Sequence, residues 1–387
     1  MLVSTSFVVA LGYGMVAPAL PIFARSFDVG VTAVSLIASA FAVVRLAFGP
    51  LSGRLVNQLG ESRVFACGLV VVAASSAACA FVTTYWELLI CRAIGGAGST
   101  LFTVSAASLL IRLAPPSMRG RAAGAWATAF LLGTVAGPLV GGALVTVGLR
   151  TPFVAYAGLL LLAVVISRGV LDERAGRRSD PVPPTHGVVT FPAAWRQPAF
   201  RAALTSNFVH GWIVYGVQVT LVPLYIVEVL ARPPSWSGSA LTLSAAGTAL
   251  TLVLGGRMAD ERGRTVSVRT GLTIIVVGTL GLASTTALPA FLGASLLVGV
   301  GTGLTYPATN ATVGDVLSTR SPAGGHGGAL AGFQMVGDIG AIVGPLLAGL
   351  AADAVGYAAA FALTATVAAL SLGCWQRTRE TRPLTPA

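Results

Sequence analysis

Residues 133–142 read GTVAGPLVGG, and residues 340–349 read GAIVGPLLAG. Each stretch contains a Gly-Pro pair preceded by a second glycine, and the two lie about 200 residues apart, which indicates an internal repeat. Two further matches follow the same order along the chain: Tyr13-Gly14 with Pro21 returns as Tyr215-Gly216 with Pro223, and Gly53-Arg54 with Gly60 returns as Gly256-Arg257 with Gly263. The chain is therefore predicted to contain two related halves.

The composition predicts a membrane protein. Of 387 residues, 55% are hydrophobic and only 10% are charged, and the mean hydropathy is +0.83. A soluble domain carries about 25% charged residues, so these charges are too few to cover a water-exposed surface. The apolar residues recur in blocks of roughly 20, the length of a helix that crosses a bilayer. Lipid is therefore the expected solvent.

Charge and turn clusters divide the chain into twelve predicted spans. The first six are 2–24, 31–53, 64–83, 87–111, 122–147 and 151–170, and the second six are 199–227, 236–256, 267–288, 290–316, 328–352 and 355–376. The fold class expected is all-α integral membrane, with two pseudo-symmetric six-helix bundles at 1–170 and 199–376. A proline-rich connector, 171–198, joins them, and a tail, 377–387, follows. The apolar block at Met1 is interpreted as a retained span, and a start upstream of Met1 stays open.

Arginine placement predicts the orientation, because basic loops stay on the cytoplasmic side. Nineteen of the 24 arginines fall in loops after even-numbered spans or in the tail, whereas only Arg25, Arg150 and Arg232 fall in loops on the other face. We therefore expect both termini and the connector to be cytoplasmic, in the cell membrane. The net charge of +11 might suggest a protein that binds nucleic acid, but the placement of the arginines argues against that function. The four cysteines show no C-x-x-C spacing, so neither metal, disulfide nor cofactor is expected.

The segment after span eight, GRMADERGR from Gly256, resembles the cytoplasmic G-x-x-x-D-x-x-G-R signature of the major facilitator superfamily. The matching positions are Gly256, Asp260, Gly263 and Arg264. The first-half copy keeps Gly53, Gly60 and Arg63, but it has Asn57 at the aspartate position and Glu61 where a basic residue is usual. The resemblance implies a latch that joins the inner ends of the halves when the cavity faces outward. The alternative is a tight basic turn.

Span five contains the Gly-Pro stretch, which is similar to the antiporter motif of drug and proton exchangers in that superfamily. Its positions are Gly133, Gly137, Pro138, Gly141 and Gly142, and span eleven repeats the pattern at Gly340, Gly344 and Pro345. Small residues at this spacing let helices approach closely, and proline bends the helix. Simple helix packing is the alternative, and the second copy weakens the motif as a mark of export.

Three ionisable residues are predicted to lie inside the membrane. Arg92, followed by Gly96 and Gly98, resembles the superfamily's R-x-x-x-G-x-G motif, which implies proton coupling or recognition of substrate charge. Asp338 in span eleven and Arg45 in span two are further candidates, because charges in a bilayer are costly and mark functional sites. The alternatives are an Arg92 that reaches the outer interface beside Glu87, and an Asp338 bonded to a neighbouring span.

In the superfamily, spans one, four, seven and ten line a central cavity. Besides Arg92, the residues that these spans offer are Tyr13, His210, Tyr215, Gln218, Tyr306 and Asn310. This neutral set of aromatic and amide groups suits a bulky amphipathic or weakly cationic substrate. Packing is the alternative role for each member.

These features predict a secondary active transporter that works by alternating access, with proton-coupled efflux of a drug-like compound as the leading hypothesis. An importer or metabolite exporter of the same superfamily is the alternative. The sequence contains no G-x-x-x-x-G-K-[ST] phosphate loop, so ATP hydrolysis by this chain is not expected. Three scattered histidines argue against an intramembrane enzyme. Since the superfamily is usually monomeric, the resemblance also implies a monomer, with protons and lipid as its other partners.

Overall fold

The computed structural model describes residues 2–114, 118–171, 190–320 and 327–381, and all regular structure in these ranges is helical. The helices of the first half are α1 Leu2–Val16, α2 Ala19–Arg25, α3 Val31–Leu59, α4 Glu61–Cys79, α5 Tyr85–Leu113, α6 Arg119–Val145 and α7 Thr151–Leu171. Those that follow are α8 Phe191–Trp195, α9 Pro198–Gly211, a π-helical segment Trp212–Leu221, α10 Val222–Glu228, α11 Ser235–Glu261, α12 Arg264–Ser284, α13 Leu288–Arg320, α14 Gly327–Ala354 and α15 Tyr357–Gln376.

The all-helical membrane fold is confirmed. Within the described ranges, eleven helical stretches are long and apolar enough to cross a membrane, and α7 supplies a shorter apolar stretch, Thr151–Ser167. Each of the twelve coincides with one predicted span. Large apolar side chains point outward from them, and Leu250 and Leu370 are 73% and 68% exposed. Such exposure fits lipid as the surrounding solvent. Of the connector, residues 172–189 lie outside the described ranges.

Spatial contacts divide the chain into two compact units. Unit 1 comprises residues 1–181 together with 222–242, and unit 2 comprises 182–221 together with 243–387. Span seven is therefore shared, because α9 and the π-helical segment belong to unit 2 and α10 belongs to unit 1. The sequence-based division at the connector stays a prediction.

Within unit 1, α1 packs against α6 and α7, α5 packs against α3 and α4, and α2 contacts α10. Within unit 2, α12 packs against α13 and α15, and α14 packs against α9 and the π-helical segment. Apart from α2, α10 and the π-helical segment, the helices in these pairs are 14 residues or longer. The candidate residues therefore lie on helix faces and not on long loops.

The segments that match the superfamily signature are tight turns, not the loops that the sequence predicted. A single residue, Gly60, separates α3 from α4, and only Arg262 and Gly263 separate α11 from α12. Gly60 and Gly263 have φ of 83° and 112°. Residues with a Cβ rarely adopt these angles, so glycine permits the chain to reverse within one or two residues. The signature's polar residues consequently lie on the last turn of one helix and the first turn of the next.

Candidate functional site

The glycines of span five bring α6 into direct backbone contact with α1. A Cβ placed on Gly14 would lie 2.9 Å from both the Cα of Gly137 and the Cδ of Pro138. One placed on Gly133 would lie 2.8 Å from the backbone nitrogen of Leu11. No larger side chain fits at these positions without displacing a helix, so the predicted close approach is present.

A second face of α6 approaches the first residues of α11, which belong to the same unit. A Cβ on Gly142 would lie 2.8 Å from the carbonyl oxygen of Ser235 and 3.1 Å from the Cα of Gly238. Gly141, the preceding residue, instead faces the backbone of Met15 on α1. The two adjacent glycines thus contact two different helices, α1 and α11, and α6 is closely packed on both sides.

Unit 2 repeats the first of these contacts. A Cβ on Gly216 would lie 3.1 Å from the nitrogen of Pro345 and 3.2 Å from the carbonyl carbon of Gly344. Gly340 meets the backbone of Phe208. In each unit, therefore, the glycine of the Tyr-Gly pair rests against the Gly-Pro pair. The repeat seen in the sequence is a repeated helix contact.

An ion-pair network surrounds the turn between α11 and α12. The Nε of Arg264 lies 3.2 Å from Oδ2 of Asp315 at the end of α13, and its Nη1 contacts Asp260 one turn earlier. Glu380, after α15, accepts hydrogen bonds from the backbone nitrogens of Arg264 at 2.9 Å and Thr265 at 3.1 Å. The carboxylate of Glu380 thereby caps the N-terminus of α12, where exposed N–H groups favour an anion.

The first-half turn holds an ion pair at the equivalent place. Nη1 of Arg112, near the end of α5, lies 3.1 Å from Oε2 of Glu61, the first residue of α4. Gly53 and Gly256 are alike in another respect, because a Cβ on either would meet nothing within 4 Å. Close helix packing thus does not explain the glycines that open the two signatures.

Arg92 is buried, with 6% of its surface exposed, and its guanidinium carbon lies 5.0 Å from the centre of the Phe41 ring. Its Nε has no hydrogen-bond partner among the described residues. The carboxylate of Glu87, named as an alternative partner, accepts from the backbone nitrogens of Thr83 and Thr84 in a capping box. The charge of Arg92 is held over an aromatic face inside unit 1.

The glycines after Arg92 set the distance between its helix and the neighbouring ones. The carbonyl oxygen of Phe41 lies against Gly96, and a Cβ on Gly95 would lie 2.7 Å from Oγ of Ser75. Oγ1 of Thr100 donates to the carbonyl oxygen of Arg45 at 2.9 Å. Close packing of α5 on α3 therefore places the ring of Phe41 beneath the guanidinium of Arg92.

The structure groups the predicted cavity residues within each unit. Tyr13 lies beside Phe41 in unit 1, with ring centroids 6.3 Å apart. In unit 2, the rings of His210 and Tyr306 are 4.8 Å apart, and Nδ2 of Asn310 donates to the carbonyl of Tyr306 at 2.8 Å. Three other candidate positions have these surroundings: Gln218 donates to Ser244, Tyr215 lies in the π-helical segment, and Asp338 follows Gly337, where a Cβ would lie 2.7 Å from Nδ2 of Asn207.

Several polar residues that the sequence reading missed organise unit 2. Nδ2 of Asn207 donates to the carbonyl of Phe333 at 2.7 Å, and Nε1 of Trp375 donates to Oγ of Ser206 at 2.6 Å. Nε1 of Trp212 donates to Thr364 at 3.0 Å. A polar residue inside an apolar span is a visible signal, but its partner on a distant helix is not. No group of three or more potential metal ligands occurs in the described part of the chain.

The sequence profile of the Major Facilitator Superfamily matches residues 2–321 and 206–387. The chain is similar to the multi-drug resistance efflux pump PmrA of Streptococcus pneumoniae, at 25% identity over 383 residues, 95% of this chain and 92% of the relative. It is also similar to the quinolone resistance protein NorA of Staphylococcus aureus, at 26% identity over 161 residues. That match covers only 42% of each chain, so it spans less than half of the relative.

Solved structures show the same fold. A bacterial homolog of the human lysosomal transporter Spinster, in an inward-facing and unoccupied conformation, aligns with a TM-score of 0.80 at 16% identity and covers 97% of this chain and 95% of its own. The human organic anion transporter MFSD10 aligns with a TM-score of 0.65 at 18% identity, covering 97% and 98%. Together with the profile match along the chain, this likeness shows that the protein is a member of the Major Facilitator Superfamily.

Proposed function

We propose that the protein exports a drug-like, amphipathic compound across the cell membrane in exchange for protons. The observation that carries the proposal is α6, whose glycines and Pro138 hold it against α1 on one face and against α11 on the other. Sequence similarity to drug efflux pumps, along almost the full length in the case of PmrA, supports the same assignment.

The buried charge of Arg92 supplies a reason for coupling. A guanidinium inside a membrane is costly, by about 2.5 kcal/mol or more on insertion scales, and such residues persist where they act. Arg92 lies over the ring of Phe41, and its Nε has no partner among the described residues. In the proposed cycle its charge acts on a substrate dipole or on a carboxylate that gains and loses a proton. Arg45 and Asp338 are the other charged groups to which we assign coupling.

Transport into proteoliposomes tests the proposal. Purified protein is reconstituted as a monomer, and the planar cationic dye ethidium is supplied outside vesicles with an acidic lumen. We expect accumulation that stops when nigericin collapses the pH gradient. Transport that is unaffected by nigericin contradicts proton coupling, and a failure to move any amphipathic dye, with a metabolite moved instead, supports the metabolite-transporter alternative.

Fusion reporters test the proposed orientation separately. Alkaline phosphatase is active only outside the cytoplasm, so fusions at the connector and after the tail should be inactive. Activity of a fusion at Arg177 would place the connector outside and overturn the expected topology.

A further inference from the structure

His210 occupies an unusual position in unit 2. It lies near the end of α9, two residues before the π-helical segment Trp212–Leu221, and π-helical insertions are frequent at functional sites. Its ring lies 4.8 Å from that of Tyr306 on α13, and Tyr306 is 41% exposed. No other histidine falls within the ranges that the structure describes.

A cavity of about 10 Å³ lies beside this ring. Five polar side chains other than His210 and Tyr306 line it: Ser206, Asn207, Thr302, Thr305 and Thr309. The first four have partners within unit 2, such as the carbonyl of Phe333 for Asn207 at 2.7 Å. The hydroxyl oxygen of Thr309 is buried and has none among the described residues.

The dimensions and chemistry of this cavity fit one water molecule. About 10–15 Å³ is the space that a single water requires, and a buried water needs at least two polar partners. Thr309 offers an unsatisfied hydroxyl, and His210 lines the same cavity. A buried hydroxyl without a partner costs about 1–3 kcal/mol, so a water bonded to Thr309 removes a real penalty.

We propose that His210 binds the proton exchanged during transport, and that a water held by Thr309 carries it to and from the imidazole. The proposal rests on the proposed function and names a residue for its coupling step. The proton is transferred from this water to the unprotonated imidazole nitrogen, and the water regains a proton from solvent. Release reverses the transfer. No bond to carbon changes, and no oxidant is required.

The charge of the imidazole explains how a proton could exchange for a substrate. The neutral imidazole adds no charge next to the exposed ring of Tyr306, so this wall accepts an aromatic cation by stacking. The protonated imidazole places a positive charge there and repels the cation. Binding of a cation and binding of a proton therefore exclude one another, which is the requirement for antiport.

Other titratable groups on the elements that pack against α9 define the controls. Tyr306 on α13 and Tyr215 in the π-helical segment carry phenol groups. Asp338 lies on α14, which packs along α9, and it has an interaction partner of its own. Cys374 on α15 is exposed. Asp338 is thus the group from which His210 must be distinguished.

Ethidium binding to detergent-purified protein, measured by fluorescence between pH 5 and 8, provides the first test. If ethidium displaces one proton, its binding weakens about tenfold per pH unit below the pKa of the group that binds the proton. We expect this slope in the wild type and a flat profile in His210→Gln. Cys374→Ser, at an exposed cysteine of α15, is the control and should keep the slope. Retention of the slope in His210→Gln overturns the assignment.

Histidine NMR gives a readout that does not depend on transport. The chain has three histidines, and the ring signal that disappears in His210→Gln identifies this residue. We expect that signal to titrate in the wild type and to shift when saturating ethidium is added at fixed pH. In Thr309→Val, which removes the hydroxyl at nearly equal volume, exchange of the ring proton with solvent should slow at least severalfold. A signal that does not titrate contradicts the proposal.

Two outcomes distinguish a failure of the proposed proton coupling from a failure of the His210 assignment. If ethidium transport by the wild type ignores the pH gradient, the proposed proton coupling fails and the assignment of His210 fails with it. If the wild type responds to the gradient and His210→Gln, shown to be folded by its thermal unfolding curve, responds equally, only the assignment of His210 fails.

Discussion

Glu61 pairs with Arg112 at 3.1 Å, and Arg264 pairs with Asp315 at 3.2 Å. Glu61 precedes Arg264 by as many residues as Arg112 precedes Asp315, so the two ion pairs occupy equivalent positions in the repeat. The charges are exchanged between the halves, because the first residue after the turn is acidic in one and basic in the other. Glu61 is acidic where the superfamily signature has a basic residue. Its partner Arg112 is basic where the equivalent residue of the second half, Asp315, is acidic. The turn keeps its ion pair although the sequence motif is altered.

This exchange predicts the outcome of charge-reversal variants. Glu61→Arg and Arg112→Glu should each lower transport and the midpoint of thermal unfolding, because each places like charges in contact. The double variant should recover most of both losses, with a coupling energy of about 1 kcal/mol, the upper range for partly exposed pairs. Additive losses in the double variant would show that the pair contributes nothing. Reversal of Arg264 with Asp315 is the matched comparison in unit 2.

Glu380 provides a second prediction at the same end of unit 2. Its carboxylate accepts from two backbone nitrogens of α12, so Glu380→Ala should destabilise that helix start by about 1 kcal/mol, as loss of a helix cap does elsewhere. Hydrogen exchange should accelerate at the amides of Arg264 and Thr265. Glu380→Gln keeps an acceptor oxygen and should show a smaller change. If the amides exchange at the same rate in the wild type, Glu380→Ala and Glu380→Gln, Glu380 does not cap α12.

Close packing of α6 gives a third prediction, which has a control within the same helix. Gly137→Ala puts a methyl group against the backbone of Gly14, and overpacking of this kind costs about 1–3 kcal/mol. Transport should fall with stability. Gly124 is exposed, and a Cβ there meets nothing within 4 Å. Gly124→Ala should therefore stabilise the helix by about 0.5–1 kcal/mol and leave transport unchanged. Equal effects of the two substitutions contradict the packing argument.

Much of the fold could be predicted from the sequence, because bilayer thickness fixes the length of each apolar span and the repeat fixes the order of the elements. Close helix approach at the Gly-Pro stretch was predicted, but Gly14 on α1 was not identified as the partner of Pro138. The limits of the spans were less accurate, since α11 continues to Glu261 and includes residues predicted to form a loop. Polarity marks where a helix reaches water, not where it ends.

The candidate site was only partly predictable. Arg92 and His210 were visible as polar residues in apolar spans, but their contacts with Phe41 and Tyr306 depend on how helices distant in sequence are rotated. Periodicity within one helix carries no information on that rotation. Thr309 gave no signal, because a threonine in a span usually bonds its own helix, as Thr302 and Thr305 do.

Arg92 yields a fourth prediction. Arg92→Ala should abolish transport and leave the protein folded and inserted, because the guanidinium contributes charge and not a required hydrogen bond of Nε. Arg92→Lys keeps the charge but loses the planar group over Phe41, so it should retain a reduced rate. Ethidium transport in proteoliposomes and size-exclusion profiles provide the measurements. Normal flux in Arg92→Ala would assign the residue a structural role alone.

Asp338 gives the last prediction, and it separates coupling from binding. Asp338→Asn removes the carboxylate charge and keeps the side-chain volume. We expect the pH dependence of the transport rate to flatten, whereas the affinity for ethidium at pH 8 should change less than about threefold, or about 0.6 kcal/mol. Transport rates across pH 5.5 to 8 and equilibrium binding at pH 8 are compared in the same preparation. If affinity collapses and the pH profile keeps its shape, Asp338 belongs to the substrate site and not to the coupling machinery.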